Sequence, residues 1–165
     1  MKYVYLVIML SFNSFCFGQV SDINEELKNI SKKLKSVEKF DGEMYEEGVK
    51  VSLQNDTIYI YNYRGNPVTK IFSEFHYFMK VSEIESVEYK KVEVGDHTTH
   101  LLSFDAVKSK PLFIFKYGSS EEIKAELKEG FMEGDLQNYI SVVLPRINDI
   151  KTFQKLESVI KGLIE

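Results

Sequence analysis

Apolar residues recur along this chain in three rhythms, each predicting a different kind of element. Ile23, Leu27, Ile30, Leu34 and Val37 follow one another at intervals of 4, 3, 4 and 3, the spacing of one face of an α-helix. Asp22 and Glu25 fit a capping box and an acidic first turn, while Lys32, Lys33, Lys35 and Lys39 gather towards the other end, as the helix dipole favours. The pattern predicts an N-terminal amphipathic helix and linker over 19–47. It holds only about two heptads, fewer than a coiled coil needs, so the helix is expected to pack on its own domain.

From Gly48 the period falls to two. Val49, Val51 and Leu53 share one face of VKVSL, QND signals a turn, and TIYIYNY sets Ile58 and Ile60 against Tyr59, Tyr61 and Tyr63. RGNP predicts a second turn, with Gly65 and Pro67 supplying its backbone angles. Strand signals continue through 68–81, SEIESVEYKKVEV, TTHLLSF, LFIFKY and NYISVVL. Between the last two, residues 119–138 read equally as a short helix carrying Ile123 and Leu127 or as a hairpin loop. After Pro145 the helical rhythm returns: Ile150, Phe153, Leu156, Ile160 and Leu163 form an apolar stripe, capped by Asn148 or Asp149.

The expected fold is therefore α+β: an antiparallel barrel or sandwich of about seven strands, with an N-terminal helix and a C-terminal capping helix. The domain is expected to span 48–165. The stretches MKVSEIESVEY and NYISVVLPRINDIKTFQKLESVIKGLIE resemble the mid-domain strand and closing helix of uncharacterised small secreted bacterial proteins with a pleckstrin-homology-like barrel. The resemblance covers roughly residues 48 to 165 and implies a fold; it carries over no functional residues. The QND turn lacks the basic residues that grip inositol phosphates, and RGNPVTK offers only Arg64 and Lys70, so phosphoinositide binding is not implied.

The first rhythm of all is a nearly continuous apolar run. Lys2 precedes about ten apolar positions from Tyr3 to Phe12, and small residues follow at Cys16 and Gly18. That is the layout of a secretory signal peptide over 1–18, with cleavage after Gly18. The run is too short to cross a bilayer, which takes about 20 residues. The chain is thus expected to be exported, periplasmic or extracellular, with no transmembrane span after cleavage; a lipid anchor at Cys16 is the lesser alternative. Cys16 is the only cysteine among 165 residues, so the mature chain would have no disulfide and no thiol chemistry. A formal charge of -4 without a basic stretch gives no electrostatic footprint for nucleic acid.

Candidate chemistry is sparse. Asp96, His97 and His100 lie together in GDHTTH, but the neighbours favour a strand, on which His97 and His100 would point to opposite faces. Gly95, Asp96 and His97 are expected to make a turn and Thr98–Phe104 a strand. A metal site would need a further ligand such as His76 or Glu93, and no metal or other cofactor is expected. No catalytic motif is present, and no pair among the many glutamates is singled out. The sharper feature is the alternation Tyr59, Tyr61, Tyr63: with the isoleucines in the core, the tyrosines form a ladder suited to protein or carbohydrate contacts. The sequence Asn55-Asp56-Thr57 matches a glycosylation acceptor but reads better as a hairpin turn. The function expected is a non-enzymatic exported domain that binds a protein, peptide or lipid-like partner in the cell envelope. The alternatives are an enzyme with a carboxylate or histidine site, or an inhibitor or immunity-type protein.

Overall fold

The computed structural model describes residues 21–40, 42–95, 97–107, 113–117 and 136–165; the expected leader over 1–18, Asp96 and most of 119–138 lie outside them. Helix α1 covers residues 21–33, shorter than its apolar rhythm predicts. Leu34 ends it, and the chain turns into a strand, β1 (Lys35–Phe40), paired with β2 (Glu43–Gln54) across a two-residue connection. Asp41-Gly42, a strong hairpin signal, outweighs the helical spacing that runs on to Val37. Gly42 is in the left-handed region at φ 85°, which glycine adopts without strain. The expected linker is thus part of the sheet.

The hairpin order continues with β3 (Thr57–Asn66) and β4 (Ile71–Lys80), each antiparallel to its predecessor. Asn55 takes the left-handed conformation at φ 55° in the tight β2–β3 turn, in keeping with the tolerance of Asn for that region. The β3–β4 turn differs from the expected one. Gly65 lies within β3 and lacks a positive φ; Lys70 takes the left-handed angle instead. Gly65 is required for space, because a Cβ there would stand 2.7 Å from the Cα of Phe72 and closer still to the Ile71 carbonyl. The Asn66 carboxamide accepts bonds from the Val68 and Thr69 amides and holds the turn.

A 3₁₀ turn (Val81–Glu83) leads to β5 (Ile84–Val94) and β6 (His97–Ala106), a second antiparallel hairpin. His97 already pairs with Val94, so the turn is shorter than expected, with Gly95 at φ 60°. Strand β7 (Phe113–Tyr117) returns to pair with β4. Then β8 (Leu136–Gln137) pairs with β7 and β9 (Tyr139–Val143) with β6, so the chain passes between sheets at Asn138. The result is two antiparallel sheets, ordered β1-β2-β3-β4-β7-β8 and β5-β6-β9. Among the described residues no strand pair joins β5 to β1, so the sheets form no closed barrel.

The two helices cover what the sheets leave open. Helix α2 (Ile150–Ile164) packs on β5, burying Phe153, Leu156 and Ile160 completely; Ile150, expected on the same face, stays exposed. Asp149 caps it by accepting from the Thr152 amide at 3.2 Å and hydroxyl at 2.6 Å. Helix α1 adds Leu27, Ile30 and Leu34 to the same core, beside Ile58, Ile60, Leu102 and Phe104. Its polar side chains also take over where β1 stops. Ser31 Oγ accepts from the Val51 amide, and the Asn24 carboxamide pairs with both the amide and the carbonyl of Leu53. The open edge of β2 is thereby hydrogen-bonded without a strand. Among the described residues no helix is long and apolar enough to cross a membrane.

Candidate binding groove

Strand parity decides what faces outward on the larger sheet. Ile58 and Ile60 are 0% exposed, so Tyr59, Tyr61 and Tyr63 stand on the opposite face. The register defines that outer face as rows across β1 to β4. Val37, Glu46, Gly65 and Phe72 form one row. Lys35, Gly48, Tyr63 and Glu74 form the next, followed by Lys50, Tyr61 and His76, then by Ser52, Tyr59 and Phe78. The tyrosines are half-buried within an aromatic row. Tyr61 and Tyr63 stack at 5.4 Å, Tyr63 meets the edge of Phe72 at 5.7 Å, and Tyr59 stacks on Phe78 at 4.9 Å.

Tyr63 lies across the sheet because its neighbour is glycine. A Cβ on Gly48 would come within 2.6 Å of the Tyr63 hydroxyl oxygen, so the ring rests where a side chain would be. From there Tyr63 donates to the Glu46 carboxylate, which also holds Lys35 Nζ at 3.0 Å. Burial, with the Glu46 charge and hydrogen bond added, pushes the Tyr63 phenol up to about 12. Tyr59 is also pushed up to about 12, by burial and then by Glu74. It sits further along the row, with its hydroxyl 2.5 Å from His76 Nδ1.

Helix α1 turns this face into a groove of about 870 Å³. The apolar stripe of α1 enters the core, and the stripe next to it on the helix surface, Asn24, Lys28, Ser31 and Lys32, forms the wall, with Lys35 just beyond. Tyr61, Tyr63 and Phe72 form the aromatic side, and Lys50 and Glu46 on β2 stand between it and the helix. Lys50 Nζ lies over both tyrosine rings, 5.5 and 5.7 Å from their centroids, a cation–π placement. Lys28 is paired with Glu25 and Lys35 with Glu46. Neither Lys32 nor Lys50 has a carboxylate partner among the described residues; Lys32 reaches only the Asn29 carboxamide, at 3.1 Å. The groove therefore joins an aromatic surface to two ammonium groups that no acid among the described residues neutralises, in a chain of charge -4.

The histidine stretch is arranged differently. His100 is partly buried against Phe153, and its Nδ1 lies 2.7 Å from the Tyr89 hydroxyl. Burial, then the Lys91 charge, holds its pKa below the usual imidazole range, with Glu93 opposing. His97 is exposed at the start of β6. Both border a shallow concavity of about 290 Å³ whose other lining residues are Thr98, Arg146, Ile147 and Asn148. Glu93 is occupied by Lys91 at 2.7 Å and the Thr98 hydroxyl at 2.7 Å. His76 belongs to the other sheet, and Asp96 lies outside the described residues. Among those described, no three His, Cys, Asp or Glu residues are grouped to hold a metal.

The lysines, Phe72 and Gly48 are the part of the groove that the chain's periodicity does not single out. The one signal is the spacing of Asn24, Lys28, Ser31 and Lys32, a second helical stripe one residue along from the apolar one. No protein-family model matches the chain, and no curated protein or solved structure matches it.

Proposed function

We propose that this protein is an exported, non-enzymatic binding domain of the cell envelope, with a pleckstrin-homology-like arrangement of strands and closing helix, and that its partner docks in the α1–tyrosine groove. One observation carries the reading: Tyr61 and Tyr63 are held half-exposed beneath Lys50, in a concavity walled by polar residues of α1. Aromatic rings fixed by their neighbours present contact area at little entropic cost, and tyrosine is enriched among the residues that dominate interfaces. Export rests on the leader-like run of residues 1–18. The test is affinity capture from the protein's own envelope fraction, comparing the natural chain with Tyr61→Ser/Tyr63→Ser. A stoichiometric partner retained by the first and lost from the folded variant is expected. A partner retained equally by both would place the binding surface elsewhere.

A further inference from the structure

The geometry points to an acidic, apolar-anchored peptide segment of a partner protein as the occupant of the groove, an assignment that rests on the groove being the binding site. Lys32 on α1 and Lys50 on β2 both line the groove, and neither is neutralised by an acid among the described residues; Glu46, the acid in the lining, is held by Lys35. Carboxylates on an incoming segment would complete them and gain charge-assisted hydrogen bonds. Beside them the surface is aromatic, and the outer face continues past it into Val37 and Met44, which remain 48% and 39% exposed. Those two side chains, in register with Glu46 and Lys39, offer apolar contact beside charged groups, which suits an apolar side chain flanked by charges better than the hydroxyls of a sugar. The isoleucines directly behind the tyrosines are fully buried in the core, so the aromatic surface is backed by packed side chains.

The mode of docking also follows. An extended peptide commonly adds to a free strand edge. Along the groove Asn24 and Ser31 already occupy the β2 edge at Leu53 and Val51, so recognition beside the tyrosines falls to side chains. The segment would place an apolar or aromatic side chain on Tyr61, Tyr63 and Phe72 and acidic side chains towards Lys32 and Lys50.

The chain, produced with its own leader, is used to select binders from a displayed library of random linear peptides. Selected sequences are expected to be enriched in Asp or Glu flanking an apolar or aromatic residue. Their affinity should fall roughly tenfold or more in Lys32→Gln/Lys50→Gln, and fall with added salt. Unchanged thermal melting of that variant shows that the loss is local. Binders without acidic enrichment that are lost in Tyr61→Ser/Tyr63→Ser would overturn the acidic assignment and leave the groove reading standing. Binders indifferent to both variants would overturn both. Saturable groove binding of a uronate oligomer or of anionic phospholipid vesicles, without any peptide selected, would also overturn the peptide assignment.

Discussion

Two glycines that look alike in the sequence do different work. Gly65 faces backbone atoms of Ile71 and Phe72, which cannot move without breaking the β3–β4 ladder. Gly65→Ala should therefore cost about 1–3 kcal/mol in urea unfolding, as overpacking does. Gly48 faces only the end of the Tyr63 side chain, which can swing away. Gly48→Ala should fold, but with Tyr63 detached from Glu46 and ionising nearer its ordinary value of 10.0. In the natural protein Tyr59, Tyr63 and Tyr77 are all pushed up to about 12, chiefly by burial. The folded chain holds those protons more tightly than the unfolded one. The stability linked to them is thus intact below pH 10 and lost as pH rises from 10 towards 12. Phenolate absorbance should accordingly show a late-titrating set whose ionisation accompanies alkaline unfolding.

At the scale of the element, α1 has two jobs, and the sequence shows only one of them. Its apolar stripe announces burial, and Leu27 and Leu34 are indeed completely buried. Its neighbouring stripe could pass for an ordinary solvated face, yet Asn24 and Ser31 replace a missing strand along β2. Removing them leaves backbone groups without partners, and an unsatisfied buried group costs about 1–3 kcal/mol. Asn24→Ala, which loses two bonds, should therefore destabilise more than Ser31→Ala, which loses one; denaturant midpoints would rank them. The end of α1 shows how local signals compete. The 4-3-4-3 spacing reaches Val37, but Asp41-Gly42 makes 35–54 a hairpin, and β pairing over six registered positions prevails.

At the scale of the molecule, the sheets leave the core open beside β5, and α2 fills the gap. Phe153 is fully buried there, and Phe153→Ala should cost about 3–5 kcal/mol in equilibrium unfolding, the range for deleting a buried aromatic ring. The terminal helix, the β2–β3 hairpin and the opposition of Ile58 and Ile60 to the three tyrosines are all written in periodicity. A side-chain repeat of 3.6 or 2 fixes which residues share a face, whatever lies opposite. What lies opposite is set by contacts between distant segments. The return of β7 to β4, the crossing of β8 and β9 between sheets at Asn138, and the placing of Lys28 and Lys32 beside Tyr61 depend on the register and packing of the whole chain. The sequence by itself determined the tyrosine face. Only the tertiary structure made it one side of a lysine-rimmed groove, because no periodicity records what another element brings alongside.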